Sequence, residues 1–133
     1  MEINYKNFKT DCIEIIQPTL EKYGYQLDVQ KSDDYTNYYV NHNGYIEVSM
    51  VQNFPFIGVT LSYYPLDLKF IKPSLIDEIL GVSMVEKTKF YSDFKKLKDL
   101  NNYEVQMQFS IELMREFYAP ILKGELNLNE IDY

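Results

Sequence analysis

Residues 35–64, YTNYYVNHNGYIEVSMVQNFPFIGVTLSYY, decide the fold, because apolar and polar side chains alternate through most of this stretch. Alternation with a period of two is typical of strands whose two faces meet different surroundings. Residues 41–44 interrupt the pattern with types that favour tight turns, and Pro55 interrupts it again. The stretch therefore predicts three consecutive antiparallel strands of one sheet.

Two strand registers compete at the turn, and hydrophobic matching chooses between them. A two-residue Asn43-Gly44 turn pairs Val40 with Glu47, which sets an apolar side chain against a charged one. A three-residue loop that ends at a left-handed Gly44 pairs Val40 with Ile46 instead. We therefore predict the three-residue loop.

This register divides the sheet into two faces. The predicted core face carries Tyr38, Val40, Ile46, Val48 and Met50. The predicted outer face carries Asn37, Tyr39, Asn41, Tyr45, Glu47 and Ser49. The strand after Pro55 continues the division, with Val59, Leu61 and Tyr63 on the core side. Alternation over residues 25–30 adds a first strand, so the prediction is a four-stranded antiparallel meander.

Helical periodicity flanks the sheet in the sequence. Residues 5–23 carry one apolar stripe, and Pro18 predicts a kink or a break within it. A short helix is predicted to begin near Pro73, another to cover residues 90–100, and a long one to run from about 103 to 118. The predicted fold class is therefore α+β, with two to three C-terminal helices packed on one face of the sheet.

The length of 133 residues predicts a single domain with its own core over residues 1–133. The acidic residues 125–133 are predicted to form a mobile tail. No apolar run approaches the roughly 18 residues of a membrane span, and no signal peptide precedes the first helix, so we expect a cytoplasmic protein without membrane contact.

The charge of the chain restricts its partners. The formal net charge is -7, whereas binding to a nucleic-acid backbone needs an excess of lysine and arginine. We therefore expect no nucleic-acid partner, and an acidic surface suits a basic protein partner. Cys12 is the only cysteine, which excludes an internal disulfide and a cysteine-rich metal site.

The residues that could carry catalysis are few. His42 is the only histidine and lies in the predicted turn, and the five glycines are too scattered for a phosphate-binding loop. The carboxylates of Asp77, Glu112 and Glu116 fit solvated helix faces. We predict no catalytic, cofactor-binding or metal-binding residues and no cofactor, which favours a non-enzymatic protein and leaves a minor enzyme as an alternative.

Tyrosine is the more suggestive feature, since the chain has 13 tyrosines and no tryptophan. Tyrosine buries a large area at low entropic cost and keeps a hydroxyl, as protein interfaces require. Strand propensity alone is the competing explanation. The predicted partner-binding residues share the outer face: Tyr39, Tyr45, Tyr64, Asn37, Asn41 and Glu47.

The order of elements suggests a family resemblance. A helix that leads through Lys22-Tyr23-Gly24-Tyr25 into a strand, then a meander and a C-terminal helical part, resembles small acidic α+β proteins of bacteria and phages, among them immunity proteins of toxin systems. This resemblance covers most of the chain at the level of size, charge and element order. It implies a stoichiometric inhibitor that blocks a basic toxin with its acidic and aromatic surface.

Two alternatives to protein binding stay open. The first is a small-ligand-binding protein or minor enzyme with a pocket between the sheet and the C-terminal helix. The second is a homodimeric structural protein, because residues 103–118 are apolar over more than one helical face and could form a dimer interface.

Overall fold

The computed structural model describes residues 8–53, 56–100 and 103–131 and shows an α+β fold. Four antiparallel strands form one sheet in the order β1 (Gln26–Leu27), β2 (Thr36–Asn41), β3 (Gly44–Asn53), β4 (Phe56–Tyr64). The preceding helix consists of α1 (Phe8–Asp11), a π-helical turn (Cys12–Ile16) and α2 (Gln17–Glu21). The sheet is followed by α3 (Pro73–Leu80), α4 (Met84–Leu97), α5 (Tyr103–Phe117), α6 (Ala119–Leu122) and a 3-10 turn (Leu128–Glu130).

The N-terminal helix passes Pro18 through a π-helical turn. A proline ring crowds the carbonyl four residues earlier, here that of Glu14, and deletes one backbone hydrogen bond. Glu14 lies within the π-helical turn, and Pro18 stands in the first turn of α2. The wider turn accommodates the proline, so the predicted irregularity takes the form of a π-bulge instead of a break. The apolar stripe continues across it, since Cys12 and Ile16 are both buried.

The predicted register of the β2–β3 hairpin is wrong. Asn41 pairs with Gly44 and Tyr39 with Ile46, so the turn has two central residues, His42 and Asn43. This pairing is shifted by one residue from the predicted one. A shift of one residue turns every side chain of a strand to the other face.

The shift exchanges the two faces of β2. Asn37 and Tyr39 lie on the core side with no exposed surface, whereas Tyr38 and Val40 lie on the outer side. Asn37 occupies the core through hydrogen bonds from its Nδ2 to the carbonyl of Lys9 (3.5 Å) and to the hydroxyl of Tyr39 (3.3 Å). These bonds pair the Asn37 amide nitrogen, whereas its Oδ1 is buried without a partner in the described part of the chain.

Contacts from the C-terminal part of the chain explain the observed turn. Asn43 is buried, and its Nδ2 donates to the carbonyl of Ile121 (3.1 Å) while its Oδ1 accepts from the N–H of Leu128 (3.1 Å). Gly44 has a φ of 139°, and a Cβ on it would collide with the carbonyl oxygen of Tyr64. These contacts stabilise the turn more than hydrophobic matching across the hairpin favours the other register.

The core lies between the sheet and the helices. β3 and β4 contribute as predicted, with Ile46, Val48 and Tyr63 buried and Val59 and Leu61 packed against them. The other buried hydrophobic residues of the core are Phe8, Cys12, Ile16, Leu20, Tyr25, Tyr39, Ile71, Ile76, Met107, Ile111, Met114, Tyr118, Ile121, Leu122 and Leu128.

The C-terminal helices confirm most of the predicted elements. α3 begins at Pro73 and is closed by a left-handed Gly81. α4 begins at Met84, earlier than predicted, because the side chain of Ser83 accepts a hydrogen bond from the N–H of Glu86 (3.0 Å) and caps the helix. α5 matches the long predicted helix.

Residues 125–131, which the sequence predicts as a mobile tail, lie against the core, and the last two residues lie outside the described part of the chain. Leu128 has no exposed surface, and Leu126 and Ile131 pack against the core. The side-chain Nδ2 of Asn129 donates to the carbonyl of His42 (3.2 Å). The leucines of this acidic segment therefore anchor it on the β2–β3 turn.

Candidate functional sites

The helices pack on one face of the sheet, so the other face, here called the open face, carries side chains that keep part of their surface exposed. Neighbouring strands align these side chains in rows, in which Tyr38, Glu47 and Ser62 form one row and Val40, Tyr45 and Tyr64 the next. The open face consists of Tyr38, Val40, Tyr45, Glu47, Ser49, Ser62 and Tyr64.

Local contacts order the open face. The rings of Tyr38 and Tyr45 meet edge to face at 6.3 Å, and the Lys31 ammonium lies 5.5 Å from the first ring and 5.6 Å from the second. A hydrogen bond to Glu47, together with burial, raises the pKa of Tyr38. Tyr64 also has a raised pKa, because of partial burial and the charge of Glu47. Tyr38 and Tyr64 therefore keep their protons beside the Glu47 carboxylate.

The open face contains only three of the six predicted partner-binding residues, Tyr45, Tyr64 and Glu47. The placement of Tyr39 and Asn37 on it is wrong, since both are buried in the core. Asn41 lies on their side of β2, where its Nδ2 donates to the carbonyl of Tyr23 (3.2 Å). Tyr38 is absent from the predicted set because the predicted register assigned this side chain to the core.

A cavity of about 320 Å³ lies beside β4, beneath α3, α4 and α5. Its position, between the sheet and the C-terminal helices, is the one that the alternative small-ligand prediction describes. Most of the wall is apolar: Val59, Leu61, Ile71, Ile76, Phe109 and Leu113. Its polar lining includes the buried or largely buried Tyr63 of β4, Asp77 of α3, Lys87 of α4, Ser110 of α5 and Tyr118 just beyond α5, and also Thr60, Ser62 and Tyr64 of β4, which keep part of their surface exposed.

A closed hydrogen-bonded cluster lies on this wall. The Lys87 Nζ donates to the Asp77 Oδ2 at 2.8 Å and to the Tyr118 hydroxyl at 3.1 Å, and the Tyr118 hydroxyl donates to the Asp77 Oδ1 at 2.7 Å. Burial lowers the pKa of Lys87, but its bonds to Asp77 and Tyr118 outweigh this, so the pKa is raised. Lys87 therefore stays charged, and both oxygens of Asp77 are engaged.

Tyr63 is the unusual polar residue of the cavity. It is 8% exposed, and its hydroxyl has no hydrogen-bond partner within the described part of the chain. Its ring lies 5.2 Å from that of Tyr118, and burial raises its pKa well above the ordinary value. A buried unpaired hydroxyl costs free energy, so it marks a place where a polar atom would be stabilising.

The backbone of β4 adds polar groups to the same cavity. The N–H of Met50 in β3 donates to the carbonyl of Tyr35, so Met50 directs its backbone groups towards β2. In an antiparallel sheet the direction alternates along a strand, so Glu47 and the other odd-numbered residues of β3 direct their backbone groups towards β4. The β4 residues that pair with them direct their own backbone groups back towards β3. The β4 residues in between, Leu61 and Tyr63 among them, therefore present their backbone N–H and C=O groups to the outer edge of the sheet. Among the described strands β4 is the last of the sheet, and these two residues line the cavity.

No local sequence pattern could have predicted the cluster. Asp77 and Lys87 are 10 residues apart, and Asp77 and Tyr118 are 41 apart. The sequence pattern places Asp77 on a solvated helix face and residue 118 at the end of a long apolar helix. The one available signal is that Asp77 directly follows Ile76, which lies on the inward side of α3.

The apolar width of α5 is explained within the chain. One stripe faces the core through Met107, Ile111 and Met114. Its neighbouring side packs on α4, where the Phe109 ring lies 5.8 Å from that of Phe90. Packing against α4 therefore accounts for the apolar width of α5, which was the reason to consider a homodimer through this helix.

Comparison with known proteins adds no relative, since no family model, curated protein or solved structure matches this chain. Among the described residues, no helix has the length and apolarity needed to cross a membrane. The same part of the chain holds no group of three or more histidine, cysteine or acidic residues that could bind a metal ion.

Proposed function

We propose that this protein is a non-enzymatic protein-binding module that contacts its partner with the open face of the sheet. The observation that carries the proposal is the cluster of three half-exposed tyrosines, Tyr38, Tyr45 and Tyr64, around Glu47 on the face that the helices leave uncovered. Rigid aromatic side chains that are already ordered lose little entropy on binding and favour protein interfaces.

The charge of the chain supports a basic partner. The net charge of -7 attracts a positively charged surface over a distance of about 8 Å at physiological ionic strength. Glu47 stands among the tyrosines, where a lysine or arginine of the partner could reach both a carboxylate and aromatic rings. An immunity-type inhibitor of a basic toxin is the form of this proposal that the family resemblance suggests.

The proposal is tested by capture from the native lysate at low and at high salt. Tagged wild-type protein should retain one dominant basic protein whose amount falls as salt rises, because salt screens the attraction. The double variant Tyr45→Ala/Tyr64→Ala should lose this protein. In a binding assay with the purified partner, we expect a dissociation constant at least about tenfold higher, as for interface anchors.

Tyr35→Ala is the matched control, because Tyr35 is 54% exposed and lies outside the open face. It should retain the partner as the wild type does. Equal capture by the double variant and the wild type would contradict the assignment of the open face. Failure to retain any protein at either salt would contradict protein binding itself.

A further inference from the structure

We infer that the cavity beside β4 is a binding site for a small, neutral, mainly apolar amide. The inference does not depend on the proposed function, because it concerns the space between the edge of β4 and the C-terminal helices, although Ser62 and Tyr64 of the open face also line this cavity. It develops the alternative small-ligand prediction by stating which chemical class the site would take.

The size and lining of the cavity restrict the ligand first. A volume of about 320 Å³ lies at the lower end of ligand pockets, which span roughly 300 to 1,000 Å³. It corresponds to about ten water molecules at their share of liquid volume, so one bridging water would not fill it. The apolar wall favours a ligand that is mostly hydrocarbon.

The charges on the wall exclude an anion as the preferred ligand. The side chains of Lys87 and Asp77 pair at 2.8 Å with 23% and 16% of their surfaces exposed. Both carboxylate oxygens and two of the three ammonium protons are engaged within the cluster. An added negative charge would be desolvated beside a cation that is already compensated, which is costly.

The unpaired polar groups indicate an amide. The Tyr63 hydroxyl lacks a partner among the described residues, although it is buried, and it can donate or accept one hydrogen bond. The edge of β4 offers backbone N–H and C=O groups at Leu61 and Tyr63 on the same wall. An amide carries a donor and an acceptor and so matches both kinds of group.

Octanamide and octanoate test the ligand class, because they have the same chain length and differ in charge. Titration of the full chain with octanamide, followed by NMR or calorimetry, should give saturable binding. Octanoate should bind at least about tenfold more weakly, because its charge must be desolvated. Equal or tighter binding of octanoate would overturn the proposed class, and saturation by neither molecule at millimolar concentration would overturn the site.

Tyr63→Phe tests the position, since it removes the unpaired hydroxyl and keeps the ring. We expect octanamide to bind about two- to tenfold more weakly to this variant, the range of one net hydrogen bond. The unliganded variant should melt no lower than the wild type, because the hydroxyl has no protein partner to lose. A lower melting temperature with unchanged affinity would assign the hydroxyl a structural role and overturn the inference.

Two further variants locate the site. Ser110→Leu places a larger side chain in the cavity wall and should abolish octanamide binding, since Ser110 is buried and lines the cavity. Tyr45→Phe, on the open face, should leave the affinity unchanged. Loss of octanamide binding in Tyr45→Phe would place the ligand on the open face and contradict the cavity assignment.

Discussion

At the scale of single residues, Asn43 has the widest influence on the fold. Its side-chain amide joins the β2–β3 turn to the carbonyl of Ile121 and to the N–H of Leu128. Because buried amide groups are costly when unpaired, this pair of bonds holds the turn in one position. The position of the turn then decides which side chains of β2 enter the core.

The neighbours Tyr38 and Tyr39 test this register directly. Tyr39→Ala should lower the free energy of unfolding by about 3–5 kcal/mol, as for other large buried aromatic side chains, because Tyr39 has no exposed surface. Tyr38→Ala should cost about 1 kcal/mol or less, because its ring lies on the open face. Chemical denaturation of both variants provides the measurement, and a reversed order of the two losses would restore the three-residue loop.

At the scale of elements, the segment of residues 125–131 behaves as part of the core. Its acidic residues suggest a solvated tail, yet Leu126 and Leu128 of this segment pack in the core. The 3-10 turn that contains Leu128 is capped by the Asn127 side chain, which accepts from the N–H of Asn129 (3.0 Å). A few apolar side chains, together with hydrogen bonds to the β2–β3 turn, therefore dock a segment that is polar overall.

Leu128→Ala tests this docking. The variant should lose about 2–5 kcal/mol of stability, because a fully buried leucine is replaced by a smaller side chain that leaves a cavity. Glu130→Ala is the control, since Glu130 is exposed, and it should change stability by about 0.5 kcal/mol or less. Urea denaturation measures both, and a Leu128→Ala variant as stable as the wild type would show that the segment is not docked.

At the scale of the whole molecule, several buried acids hold their protons to unusually high pH. Burial, with a smaller contribution from the charge of Asp11, raises the pKa of Cys12 from 9.0 to about 12. Burial also raises the pKa values of Tyr39 and Tyr63 above 10.0. Each of these groups releases its proton more readily in the unfolded chain than in the folded protein, so stability falls as pH rises.

As pH rises, Cys12 is the first of these three groups to ionise in the unfolded chain, because its ordinary pKa of 9.0 lies below the 10.0 of the tyrosines. Between pH 9 and pH 10 the unfolded chain ionises Cys12 while the folded protein does not, which lowers stability by up to about 1.4 kcal/mol per pH unit. Cys12→Ala should therefore show a smaller loss of stability across this interval than the wild type. Urea denaturation at pH 7, 9 and 10 measures the difference, and equal losses in both proteins would contradict the burial of the thiol.

The sequence by itself determined the elements and their order, because hydrophobic periodicity, proline and glycine act through neighbouring residues. The apolar stripe of the first helix, the alternation of β3 and β4, and the start of α3 at Pro73 were all predictable in this way. Three residues of the open face, Tyr45, Tyr64 and Glu47, followed from the same alternation.

Only the tertiary structure decided which face of β2 is buried and where the cavity lies. The face of β2 depends on bonds between Asn43 and residues 78 to 85 positions later in the chain, which outweigh the matching of adjacent strands. The cluster of Asp77, Lys87 and Tyr118 likewise exists only after α3, α4 and the end of α5 have packed beside β4. Periodicity reports local preferences, whereas these features depend on hydrogen bonds between distant parts of the chain.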